Sequence, residues 1–143
     1  MQVKPRARDP ITLTEVGRLA LVGAVIVLLA AGCGSQSDYT AAKTKRCLSS
    51  EDAQIANPSR SDFVATTATG GSFVARLGDN WVTVAFGDKP QDAQDLQIAY
   101  QRFAASNVRS NITDVLRRYR NAVLLWHRHP ANADLALVIG CLG

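Results

Sequence analysis

An unbroken apolar run from Leu19 to Gly32 divides this chain and restricts its fold more than any other stretch. Lys4, Arg6, Arg8 and Arg18 precede the run, opposed only by Asp9 and Glu15. A net positive segment followed by an apolar one is the order of a secretory signal. The run is about 14 residues long, short of the ~20 that a helix needs to cross the hydrocarbon core of a bilayer. It closes on Ala30, Ala31 and Gly32, which leave an extended backbone unhindered for a peptidase, and Cys33 follows directly. The folded domain is therefore expected to lie wholly beyond the run.

The stretch Leu29-Ala30-Ala31-Gly32-Cys33 resembles the lipobox of bacterial lipoprotein precursors. The resemblance covers about 15 residues, and Ala30 departs from the leucine that is commoner three places before the cysteine. It implies diacylglyceryl attachment to the Cys33 thiol, acylation of the palmitate kind, and cleavage between Gly32 and Cys33. One acyl chain binds a membrane only marginally, because each buried methylene adds ~0.8 kcal/mol, whereas two hold a protein stably. Lipidated Cys33 would then tether the domain to the extracytoplasmic face of the cell membrane. No twin arginine precedes the run, which points to the general export route. Twelve arginines against four lysines, with abundant alanine, resemble the output of a high-GC genome such as an actinobacterium's. The alternative anchoring is an uncleaved single-pass membrane protein with the same external domain.

This division places a signal peptide at residues 1–32, a flexible tether at 33–38 and one exported domain at 39–143. About 110 residues remain from Cys33 onward, enough for one domain and hardly for two. The leader holds four basic and two acidic residues, so the formal net charge of +4 falls to +2 beyond Gly32. Such a weak excess gives no ground for a nucleic-acid partner. With Cys33 assigned to lipid, Cys47 and Cys141 form an even pair near opposite ends of the domain, and in an oxidising compartment they read as a disulfide. Two buried free thiols, or a redox or metal pair, are the other readings, although neither cysteine sits in a Cys-x-x-Cys or beside a histidine.

Gly34 to Asp38 is too small and polar to fold. Tyr39 to Leu48 has helix propensity, with Ala42, Cys47 and Leu48 loosely on one side, and Gln54-Ile55-Ala56 reads as a short strand. Phe73 to Leu77 and Trp81 to Phe86 are β-prone runs joined by Gly78-Asp79-Asn80, a hairpin signal. Val82, Val84 and Phe86 share the more apolar face and are assigned to the core. A helix from Pro90 to Ala105 follows, with Pro90 in its first turn, Asp92 and Asp95 at the positive end of the dipole, and a stripe of Leu96, Ala99, Tyr100 and Phe103. Asn111 as N-cap and Ile112, Val115, Leu116 and Tyr119 at helical spacing predict a second helix. Ala122 to Trp126 is continuously apolar and reads as a central strand. The segment Ala131 to Leu142 fits either a helix or a buried strand; Pro130, Asn132 and Asp134 favour the helix. The fold class expected is α+β, a small antiparallel sheet of three or four strands with helices packed on one face.

Function is less legible. His127 and His129 fall on one side of a strand end, but a metal site needs three or four ligands with their own hydrogen-bonding partners, and none stands nearby in the sequence. They read as exposed strand-end histidines, and no metal or cofactor is expected. Arg109, Arg117, Arg118 and Arg120 cluster around the predicted second helix. They could meet anionic headgroups or an acidic envelope protein, each worth ~1 kcal/mol on an anionic leaflet, or simply form a solvated helix face. Trp81 lies on the hairpin face away from the assigned core, either covered by Phe63-Val64 or part of a partner surface. Asn111-Ile112-Thr113 matches a glycosylation sequon by chance in a bacterial chain. No Ser/His/Asp set or carboxylate pair emerges, and Glu51 is the single glutamate beyond the leader. The class expected is thus a lipid-anchored envelope domain that binds or scaffolds without chemistry of its own; a small envelope hydrolase is the remaining class.

Overall fold

The computed structural model describes residues 38–143, and the predicted signal peptide, the lipidation site Cys33 and the tether as far as residue 37 lie outside the described residues. Helix α1, Ala41–Ser50, starts where the Thr40 side chain accepts a hydrogen bond from Lys43 N at 3.4 Å. It buries Thr44 and Leu48, while Ala42, expected on the packed side, is exposed. Strand β1, Gln54–Ala56, leads through the short helix α2, Phe63–Thr66, whose N-cap Asp62 accepts from Ala65 N. The hairpin then forms β2, Ser72–Leu77, and β3, Asn80–Phe86, turning on Gly78 and Asp79. Gly78 has φ +56°, a left-handed conformation in which glycine meets no Cβ penalty.

Helix α3, Pro90–Phe103, carries Pro90 in its first turn, and Asp92 Oδ2 accepts from Asp88 N at 3.0 Å and Lys89 N at 3.2 Å. Two four-residue helices follow, α4 at Ser106–Arg109 and α5 at Ile112–Val115. The second predicted helix stops there. Leu116–Tyr119 is strand β4, paired antiparallel with β5, Ala122–Trp126, in the register Leu116↔Leu125 to Tyr119↔Ala122. Helical spacing at 112, 115, 116 and 119 is overridden because β5 offers this backbone a full ladder of partners. The chain ends in helix α6, Asn132–Leu142.

The sheet is antiparallel throughout, in the order β1-β2-β3-β5-β4. This is the α+β class expected, with five strands in place of three or four. The extra strand is β4. A second correction concerns the layers, because apolar clusters occupy both faces of the sheet. On one face Phe73, Val82, Val84, Phe86, Leu124 and Trp126 pack with Leu48 of α1 and with Val138 and Leu142 of α6. On the other, Ala85, Leu116 and Val123 pack with Val64 of α2 and Ala93 and Tyr100 of α3. Period-two alternation sends successive β3 residues to opposite faces, so Ala85 is as fully buried as Val84. Cys47 of α1 and Cys141 of α6 are joined as a disulfide with Cα atoms 5.4 Å apart, which clasps the two helices over the first face.

The start of the domain is clamped to one end of this sheet. Asn121, in the β4–β5 turn and 1% exposed, accepts from Tyr39 N at 2.9 Å and donates from Nδ2 to Tyr39 O and Gly87 O, each at 2.9 Å. Arg120, at φ +50°, sets its guanidinium 4.9 Å from the Tyr39 ring centroid and 3.8 Å from Asp38 Oδ1. Gly87 closes the cluster by donating its N–H to Asn121 O at 2.8 Å. A Cβ on Gly87 would lie 2.4 Å from Asp92 Cβ, so only glycine lets the chain leave β3 for α3 this tightly.

Candidate functional site

Helix α3 covers only part of the second face. It starts beside the Asn121 clamp and ends at Phe103, and beyond that end Trp81, Thr83, Leu125 and His127 floor a cleft of about 220 Å³. Ser61 and Asp62 form one wall, and Phe103, Ala104 and Val108 the other. Trp81 and His127 are neighbours on β3 and just past β5, with His127 N donating to Trp81 O at 2.9 Å. Their rings stack at 3.6 Å between centroids and 14° between planes. Arg76, opposite Trp81 in the β2–β3 register, places its guanidinium 5.8 Å from the indole centroid. The ring partners of Trp81 are thus His127 and Arg76. Phe63, named with Val64 as its expected cover, is itself 66% exposed, and Val64 turns into the cluster under α3. Asn80 braces this end of the sheet: its Nδ2 donates to Arg128 O and its Oδ1 accepts from Arg128 N, both at 3.2 Å.

Asp62 brings a carboxylate to the cleft. Oδ1 accepts from Ala65 N at 3.0 Å, and Oδ2 lies 3.5 Å from the hydroxyl of Tyr100. Burial pushes the Tyr100 phenol well above its ordinary pKa, and the negative charge of Asp62 and its hydrogen bond to the phenol push in the same direction. A raised phenol pKa favours the folded state up to the unfolded value of ~10, and that advantage is lost as pH climbs above it. Stability is therefore expected to fall above pH ~10 by up to about 1.4 kcal/mol per pH unit from this residue alone. In Tyr100→Phe this contribution to the fall should vanish in urea titrations run from pH 9 to 11; an unchanged slope would assign the alkaline loss elsewhere.

The four arginines do not form one patch. Arg109 donates to Arg102 O at 3.2 Å, and Arg117 to Thr113 O at 2.8 Å and Leu116 O at 3.0 Å. Arg118 donates from Nε to Gln97 Oε1 of α3 at 2.9 Å. Because Leu116–Tyr119 is a strand, Arg117 and Arg118 leave it on opposite faces instead of sharing a helix face. Arg120 belongs to the clamp on Tyr39. His127 and His129 also part company. The first stacks on Trp81, and the second lies with Nδ1 2.6 Å from Asp114 Oδ1, on an exposed surface.

Sequence reasoning missed the pairing of His129 with Asp114, since 15 residues separate them and no local pattern signals the contact. Among the described residues no three His, Cys, Asp or Glu gather where they could hold a metal ion. Phe103 is the clearest departure. The apolar stripe of α3 assigns it to the core, and it is 69% exposed. Within the cleft Ser61 Oγ is engaged by Ser59 Oγ at 2.8 Å and Asp62 caps α2, so the groups present suit stacking, apolar contact and charge pairing. Comparison of the chain with protein-family models, with curated proteins and with solved structures found no match.

Proposed function

We propose that this chain is an exported lipoprotein, tethered to the extracytoplasmic face of the cell membrane through Cys33, whose single domain binds a partner at the envelope without catalysing a reaction. The observation that carries this reading is the Cys47–Cys141 disulfide, since structural disulfides belong to oxidising, exported settings. It supports the export that the charged segment, apolar run and Leu29-to-Cys33 motif imply. Among the described residues no helix is long and apolar enough to cross a membrane. A tether joining the domain at Tyr39 meets it at the clamp end of the sheet. The Trp81–His127 cleft lies at the other end of β3, five residues or about 16 Å from that clamp.

Mass spectrometry of the native protein from the membrane fraction is expected to find an N-terminus at Cys33 carrying acyl mass, and Cys33→Ser should abolish both processing and acylation. A native product that begins at Met1 without acyl mass overturns the lipid tether, and if it is still membrane-bound it establishes the uncleaved single-pass arrangement. Turnover of any envelope substrate that is lost in His127→Ala or His129→Ala would replace the binding role with a hydrolytic one.

A further inference from the structure

Phe63 and Phe103 are the two most exposed of the large apolar side chains described, at 66% and 69%. Both edge a groove of about 290 Å³ between α2 and α3, floored by Val64, Leu96 and Ala99. Phe103 also borders the Trp81–His127 cleft, so the two concavities share a rim. The charged residues lining them are all acidic, Asp92 and Asp95 along the groove and Asp62 across Phe103, and neither concavity is lined by a lysine or arginine. This is the reverse of the basic balance of the whole chain. The Asp92 carboxylate is engaged in capping α3, while the Asp95 side chain is exposed and has no hydrogen bond or ion pair among the described residues.

We propose that this groove docks a polypeptide segment in which apolar side chains alternate with lysine or arginine. Apolar side chains in the groove would cover Phe63 and Phe103, whose exposure otherwise leaves apolar surface in water. Cationic side chains beside them would pair with Asp92 and Asp95, and with Asp62 where the segment passes Phe103. An apolar ligand without cations would desolvate these carboxylates unpaired. An anionic lipid surface would be repelled by them. The inference rests on the binding role proposed above and is independent of Cys33 acylation.

The test uses the full chain purified from membranes in a nonionic detergent, with its N-terminal mass recorded on the same preparation. The probe is a short fluorescent peptide of repeating Lys-Leu-Gly, compared by anisotropy with its Glu-Leu-Gly counterpart. The lysine peptide is expected to bind about tenfold or more tightly than the glutamate one, and added salt should narrow the gap. Phe63→Ser with Phe103→Ser should weaken it by about tenfold or more, and Asp95→Asn by about threefold. Both phenylalanines are exposed, so the doubly substituted chain should fold, which its thermal unfolding checks. Ile98→Ser, on α3 but outside the groove lining, should leave affinity unchanged. Equal affinity for the two peptides, indifference to the phenylalanine substitutions, or preference for phosphatidylglycerol vesicles over the peptide would overturn the proposal. A preparation acylated at Cys33 that fails these tests loses the docking groove and keeps its tether.

Discussion

Replacing Cys47 and Cys141 with serine should cost the domain about 4–5 kcal/mol through loss of the cross-link, the largest effect predicted for this chain. The size follows from a sequence separation of 94 residues, because the reduced unfolded chain regains the freedom of a loop nearly as long as the domain. The bridge also acts where it matters for packing. It joins α1 to α6, and these two helices cover the first face of the sheet. With a urea dependence of roughly 2 kcal/mol per molar, the unfolding midpoint should fall by about 2 M. Reductant added to the unsubstituted protein should reproduce the shift. A midpoint that moves by less than about 0.5 M in both experiments would mean that α1 and α6 hold their places by packing alone.

Asn121→Ala should destabilise the protein by about 3 kcal/mol, although the residue touches neither cleft. Three hydrogen bonds go with its amide, each with a net worth of about 1 kcal/mol, and the buried partners are left unsatisfied. These are the bonds to Tyr39 N, Tyr39 O and Gly87 O. Asn121→Asp should be no milder, because a buried carboxylate would face two carbonyl oxygens with nothing to donate. Amide hydrogen exchange reads the effect locally: protection of Tyr39 N–H should be lost first in either variant, freeing the residues that lead into α1. If Tyr39 stays protected and stability changes by less than about 0.5 kcal/mol, the clamp is ornamental and the start of the domain is held by α1 alone.

Much of the architecture is legible in short windows of the chain. The Phe73–Phe86 hairpin shows itself through β-prone runs around Gly78-Asp79, and α3 through Pro90, Asp92 and its stripe. Cys47 and Cys141 are the sole pair left to each other once Cys33 is set aside. The features that were not legible all depend on residues distant in sequence. Leu116 to Tyr119 fits a helix until β5 is present to pair with it. Phe103 completes an apolar stripe on α3, yet it is the last residue of the helix, on the rim of the Trp81–His127 cleft, and its ring is left uncovered. Asp114 reaches His129 only because α5 and the end of β5 are brought side by side.

Sequence alone determined the local elements, because hydrophobic period, proline, glycine and cap residues act within a turn or two of the chain. It also pointed to Cys47 and Cys141 as disulfide partners, given what the lipobox resemblance implies for Cys33, and the structure joins those two. Only the tertiary structure decided that the sheet has five strands, that both of its faces are packed, and that the second face is left open past Phe103. Those outcomes are set by which strand pairs with which and how far a helix reaches across them, and such contacts join segments whose separation no local pattern encodes.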